Sequence, residues 1–238
     1  MRILAIETAT RASSVALGED GVLAAMSVRV DGRGHVEFLV PAIDFCFERA
    51  GWDPEDLDLV AVDVGPGPYT GLRAGIATAE AVAAAVGVPI VTASSLTVLA
   101  LRAATGRRRI WPIVDVRRGQ LATAPFRPVP GGVMPDGPRE LVTAEEFHAL
   151  LDADRTDTLI VGEWQALPDA VFRGLHRARK ARPRYPSADV LVEIAELRAA
   201  QGEYAGAEDL QPIYLREPDA RIKWTDFREE GLWPGGAP

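Results

Sequence analysis

Apolar and polar positions divide the first half of the chain into blocks. Ile3–Ile6, Ser14–Leu17 and Val22–Val30 are short apolar or alternating runs, and the turns between them are brief and polar, GEDG at 18–21 most clearly. This pattern predicts three successive strands paired as an antiparallel meander. From Val36 the period lengthens. Val36, Leu39, Val40, Ile43 and Phe47 recur at helical spacing, which predicts a helix from about Val36 to Ala50 with that stripe laid on the sheet. A strand at Leu59–Val64 and a helix from about Thr70 to Val86, stopped by Gly87 and Pro89, come next. A strand at Ile90–Thr92 and a helix opening at Ser94–Ser95 complete the half. The order βββαβαβα is that of a ribonuclease-H-like half-domain, a mixed sheet with helices packed on it.

After Gly106–Arg109 the signals restart with Ile110–Val114 and Leu121–Phe126, followed by the Pro/Gly-rich stretch RPVPGGVMPDGP, read as a loop. A helix near Ala144–Leu151 is capped at Thr143 with Glu146 three residues on, a capping box. A strand at Thr158–Val161 and a helix at about Ala188–Gln201 close the pattern. The expected architecture is α/β, with two ribonuclease-H-like subdomains built on mixed sheets. The first covers 1–105, the second is reduced and covers 106–216, and a partly flexible tail occupies 217–238.

The two N-terminal helices carry the main structural expectation. On the first, Phe38, Ala42, Phe45 and Arg49 make a further face where a surface helix would be polar. Pro41 lies inside this helix and is expected to bend it. The second helix has almost no bulk: Gly71, Ala74, Gly75, Ala77, Thr78, Ala79, Ala81 and Ala83–Ala85 leave Arg73 and Glu80 as its only charges. Small residues four apart, such as Gly71 and Gly75, let backbones approach closely at helix crossings. Monomers seldom leave a broad apolar surface in water. Such faces are either buried within the chain's own fold or form an interface with a second protein. The interface would use Phe38, Ala42, Phe45, Arg49, Arg73, Ala74, Ala77, Thr78 and Ala81.

A net charge of −8 argues against broad independent binding to nucleic-acid phosphate, whose affinity comes mainly from displaced counterions. Two local exceptions stand out. One is Arg102 with Arg107–Arg109; the other is FRGLHRARKARPRY, with Arg173, Arg177, Arg179, Lys180, Arg182 and Arg184. A solvated basic face is the plain reading, and contact with an acidic partner or RNA the alternative. The single cysteine, Cys46, excludes an internal disulfide and a cysteine zinc site. MRILAIETAT is too short and too soon polar for a signal peptide, and Ala77–Val91 is interrupted by Glu80, Gly87 and Pro89 before it reaches bilayer length. A cytoplasmic protein with no membrane contact is expected.

GPGPYTG leads into the second helix and is a candidate phosphate cradle through Gly65, Gly67, Thr70 and Gly71. It lacks the Lys-Ser/Thr ending of a P-loop, and Pro66 and Pro68 remove two donors. A tight strand-to-helix turn is the competing explanation. Glu7, Asp63 and Asp115 end strands and, with Arg117, outline a possible cleft; strand-end carboxylates also cap turns. Ser94–Ser95 read as a helix cap, and nothing nominates a base for a serine triad.

Taken in order, ILAIETATRASSVAL, GHVEFLVPAID, VGPGPYTGLRAGIATAEA, VDVRRGQ and PIYLREP resemble the TsaB (YeaZ) family, over about residues 3–120 and again near 212–218. The resemblance implies the fold of the acetate-kinase/Hsp70/actin ATPases. It also implies an inactive-looking paralogue of TsaD, which transfers the threonylcarbamoyl group of L-threonylcarbamoyl adenylate to the adenosine beside the tRNA anticodon. Further implications are a four-helix bundle with TsaD through the two N-terminal helices, TsaE as an additional member, a homodimer when alone, and tRNA contacted at most indirectly. The catalytic relatives carry His-x-x-x-His on the first helix as a metal site. Here His35 is followed four positions on by Leu39, and His148 and His176 lie far away in sequence. No catalytic residue, metal or cofactor is therefore expected, and the chain reads as a scaffold subunit. The alternatives are an ATP-dependent small-molecule kinase of the same superfold using Glu7 and Asp63, a metallopeptidase, and a structural dimer with no partner.

Overall fold

Asp20 and Gly21 set the second hairpin of the N-terminal meander. Both have positive φ, 49° and 78°, as a two-residue turn of this hand demands, and the turn pairs Glu19 with Val22. The meander is therefore β1 (Arg2–Glu7), β2 (Ala12–Glu19) and β3 (Val22–Val30), antiparallel throughout. In this computed structural model, which describes residues 1–182 and 185–215, β4 (Leu59–Asp63) and β5 (Ile90–Ala93) join parallel to β1. The first sheet has the order β3-β2-β1-β4-β5. The expected tail at 217–238, the end of the second subdomain at 216, Arg184 and the close of the last family motif lie outside the described residues.

Helices α1 (His35–Ala50) and α2 (Tyr69–Val86) cover one face of this sheet. Leu4, Ile6, Val60 and Val62 point to them, meeting Leu39, Cys46, Ile76 and Ala79. The alternate residues Ile3, Ala5, Leu59 and Ala61 point to the other face, which α5 (Ala188–Ala200) covers with Leu191 and Ala195. Central strands covered on both faces read as continuous apolar runs, and β1 and β4 do.

The second sheet is built from β6 (Arg109–Asp115), β7 (Gln120–Thr123), β8 (Phe126–Val129), β9 (Gly132–Pro135), β10 (Glu140–Thr143), β11 (Thr158–Gly162) and β12 (Ala178–Lys180). Its main path is β10-β7-β6-β11-β12, with the β8–β9 hairpin attached to β6. The stretch expected as a loop from Arg127 is thus largely a hairpin, turning at Gly131 with φ 79°. The single strand expected at Leu121–Phe126 is split, because β7 ends at Thr123 before β8 begins. Between β10 and β11, α4 (Ala144–Ala153) starts at Thr143 with the expected reciprocal cap and buries Phe147 against Trp111 and Ile113.

The division at residue 105 describes the strands but not the helices. Helix α3 (Ser95–Arg102), the last element of the first half, packs Leu96, Leu99 and Ala100 against Ile110, Val114 and Val161 of the second sheet. Helix α5, from the second half, returns to the first sheet, and Arg102 meets Asp189 at 2.8 Å where the two helices touch. The following segment stays with the first sheet, where the Ile213 N–H donates to the Val64 carbonyl at 2.7 Å. Residues 188–213 therefore belong structurally to the first subdomain. Among the described residues, no helix is long and apolar enough to cross a membrane.

Candidate functional site

Helix α1 runs unbroken through Pro41, whose ring lies on the exposed side, and its buried arc is Leu39, Ala42, Cys46 and Phe47. That arc lies between the two faces expected from sequence, so each is part core and part surface. Val36 and Val40, expected on the sheet, are 64% and 61% exposed. Ala42, expected on an outward interface, is buried in the core and presents nothing to a partner. Phe45 is 43% exposed, with the exposed Arg49 guanidinium 5.4 Å from its ring centroid; Phe38 is half-buried against the core.

The outer side of α2 is smooth. Arg73, Ala77 and Ala81 are exposed and Ala74 and Thr78 half-buried, the Thr78 hydroxyl donating to the Ala74 carbonyl at 2.8 Å. The glycines of this helix serve a different contact from the helix crossing expected. A Cβ on Gly71 would lie 2.1 Å from the Thr8 carbonyl oxygen, and one on Gly75 would lie 2.3 Å from Thr8 Oγ1. Both glycines let α2 close onto the end of β1 within the chain itself. The small residues that remain on the surface are the alanines.

The N-termini of α1 and α2 open into a cleft of about 790 Å³ shared with the β6–β7 turn and residues 213–215. Neither helix has a side-chain cap. His35 Nδ1 lies 2.6 Å from Ser13 Oγ, and burial, with Arg29 nearby, lowers its pKa below the ordinary imidazole value. Leu39, where a second metal-binding histidine would stand, is fully in the core. Gly67, Thr70 and Gly71 of the candidate cradle line the cleft. Gly65 does not, since its N–H donates to Asp63 at 2.7 Å and its carbonyl accepts from Ser95. A Cβ on Gly67 would sit 1.9 Å from the Ala9 carbonyl oxygen, so the turn needs glycine there for close packing. Across the cleft, Tyr69 and Tyr214 stack at 5.2 Å, and Arg73 lies 3.7 Å over the Tyr69 ring with its Nε donating to the Tyr214 hydroxyl. Sequence reasoning missed this pairing, because Tyr214 is distant in sequence and no periodicity links it to Tyr69.

The strand-end carboxylates all cap turns. Glu7 accepts from the Ala9 N–H at 2.6 Å, Asp63 from Gly65 and from the Ser95 hydroxyl at 2.8 Å, and Asp115 from the Arg117 N–H at 2.7 Å. Parallel register places Glu7 and Asp63 at adjacent strand ends, and they are 0% and 1% exposed. Their second oxygens, Glu7 Oε2 and Asp63 Oδ2, have no hydrogen-bond partner among the described residues. Burial pushes the Asp63 carboxyl up to about 7, opposed by the hydrogen bonds from Gly65 and Ser95. Burial, then the neighbouring Asp63, holds Glu7 well above the usual carboxylate range.

A fourth carboxylate went unread in the sequence. Glu163 follows β11, accepts the Asp115 N–H at 3.1 Å, and is pushed up to about 7 mainly by burial. The same strand-end rule that nominated Asp115 would have found it. Arg117 and Arg118 hold φ at 74° and 56°, a region rare for side chains other than glycine, so the turn facing the cleft is strained. Among the described residues there is no group of three side chains arranged to hold a metal ion.

Known proteins share this chain's sequence and fold. The family model for TsaD, tRNA N6-adenosine threonylcarbamoyltransferase, matches residues 29–133. The chain is 31% identical over 220 residues to the tRNA threonylcarbamoyladenosine biosynthesis protein TsaB of Escherichia coli, covering 91% of this chain and 95% of that one. It is 30% identical over 239 residues to the Bacillus subtilis protein of the same name, covering 96% and 100%. The crystal structure of a Pseudomonas aeruginosa protein with similarity to peptidase YeaZ superposes with a TM-score of 0.77 at 28% identity, over 90% of this chain and 99% of that one. A Thermus thermophilus ROK hexokinase shares the fold alone, with a TM-score of 0.50 at 13% identity over 85% of this chain and all of that one. Identity at this level over nearly the whole length of both curated relatives, with the same fold, means that the chain belongs to the TsaB (YeaZ) family.

Proposed function

We propose that this chain is a non-catalytic docking subunit in the biosynthesis of N6-threonylcarbamoyladenosine in tRNA. Its partner is a TsaD-type transferase, which it binds through the outer surfaces of α1 and α2. The observation that carries this reading is the exposed Phe45 on α1 together with the smooth alanine surface of the adjoining α2 at Ala77 and Ala81. Phe38, Arg49, Arg73, Ala74 and Thr78 complete the surface; Ala42 drops out. The transferase model's match over residues 29–133 spans both helices, which supports a contact between related surfaces of the two proteins. Paired like surfaces suit a pseudo-twofold contact, and two copies of this chain would close the same way when the transferase is absent. TsaE is assigned to the assembled pair. Docking acts by favouring the transferase conformation that accepts tRNA and adenylate, through contacts its other conformation lacks.

Neither Glu7 nor Asp63 reaches the cleft surface, which supports a docking role over phosphoryl transfer. The experiment is co-purification of the full chain with untagged transferase, scored by tRNA modification with and without this chain. Stable association and modification that depends on the chain are expected. Unchanged modification without it would refute the role.

A further inference from the structure

The second sheet carries its charge unevenly. The N-terminal ends of β6, β11 and β12 lie together: the Arg109 N–H donates to the Asp157 carbonyl, and the Thr158 N–H to the Arg177 carbonyl. Arg107, Arg108, Arg109 and Arg127 line a shallow groove of about 510 Å³ there, with Asp136, Thr156 and Asp157. Arg177 extends the cluster by donating to the Arg155 carbonyl. Five arginines thus meet three aspartates, counting Asp154, and Arg109 alone engages two of these: Asp136 at 2.9 Å and Asp154 at 3.3 Å. Of the groove's lining arginines, Arg107 and Arg108 have side chains with no partner among the described residues.

We infer that this groove binds the phosphate backbone of RNA. Every residue lining it is polar or charged, so it lacks the large apolar and aromatic side chains on which protein interfaces are centred. Guanidinium groups without internal partners suit phosphate oxygens, and contacts of this kind position an RNA without reading its sequence. The groove is at the opposite ends of β6 and β11 from Asp115 and Glu163, so RNA held there leaves the cleft free. The net charge of −8 keeps the affinity of the chain alone low, and the contact supplements an RNA grip provided by another subunit.

The RNA in question is the tRNA of the proposed function, so the inference rests on that reading, but its test does not need the transferase. The full chain alone is titrated with tRNA-length RNA between about 50 and 200 mM salt, alongside a variant carrying Arg107→Ala, Arg108→Ala and Arg127→Ala. Each phosphate contact contributes roughly 0.7–0.9 to the slope of log affinity against log salt. The variant is expected to show a slope shallower by about 2 and, at the lowest salt, at least about tenfold weaker binding. Equal slopes and affinities would overturn the inference. Equally tight binding of polyglutamate at matched salt would also overturn it, marking the groove as a protein-docking surface. Co-purification of the same variant with the transferase is scored separately. Loss of docking by the wild-type chain would count against the proposed function alone.

Discussion

Phe45→Asp combined with Ala77→Arg is expected to leave the chain folded and to weaken its binding to the TsaD-type transferase by at least about a hundredfold. Both positions are exposed in the free chain, so neither substitution buries a charge on folding. Surface changes of this kind usually alter stability by no more than about 0.5 kcal/mol. In the complex both new charges would be desolvated in an apolar contact, the aspartate with only Arg49 within reach and the arginine beside alanines. An uncompensated buried charge costs about 3–5 kcal/mol, and each 1.4 kcal/mol is a factor of about ten in affinity. Val36→Asp with Val40→Asp probes the other flank of α1, roughly 140–180° around the helix from Phe45, and is expected to have the smaller effect. Calorimetric titration against the transferase ranks the two variants. Wild-type affinity for the Phe45/Ala77 variant would place the interface elsewhere.

The second large effect concerns the buried carboxyls. In the folded chain Asp63 and Glu163 are pushed up to about 7 and Glu7 is also raised, so the native state holds protons that the unfolded chain releases from the ordinary carboxylate range upward. For groups raised in this way the stabilisation is complete below the unfolded pKa and is lost as pH climbs through the folded value. Stability is therefore expected to fall between about pH 4 and pH 8. Asp63→Asn keeps the acceptor used by Gly65 and Ser95 and removes the charge beside Glu7. It is expected to stabilise the chain at pH 8 by on the order of 2–4 kcal/mol relative to wild type, with the gain vanishing near pH 4. Denaturant unfolding at both pH values measures the difference, which separates this pair from the general repulsion of an acidic chain. A constant offset across that range would contradict the protonated pair.

Much of this architecture is legible in the sequence because local signals and global packing agree. The Asp20–Gly21 turn, the doubly apolar β1 and β4, and the Thr143–Glu146 cap each specify one local structure, and the fold uses all three. The β8–β9 hairpin was hidden by its prolines, which read as loop although an attached hairpin tolerates them. The exchange of α3 and α5 between the sheets could not be read locally, because an apolar stripe says that a helix is covered but not by which sheet. The same ambiguity displaced the faces of α1. Apolar residues flank its buried arc on both sides, so periodicity alone could not place the centre of that arc. Gly71 and Gly75 were legible as close-approach residues, and only the structure shows that the neighbour is Thr8.

Hydrogen exchange of the full chain, with and without the transferase, tests the docking surface most directly. The account predicts slowed exchange in peptides spanning α1 and α2, at 35–50 and 69–86, and little change along the second sheet. A complex that forms while those two helices exchange as fast as in the free chain would contradict it.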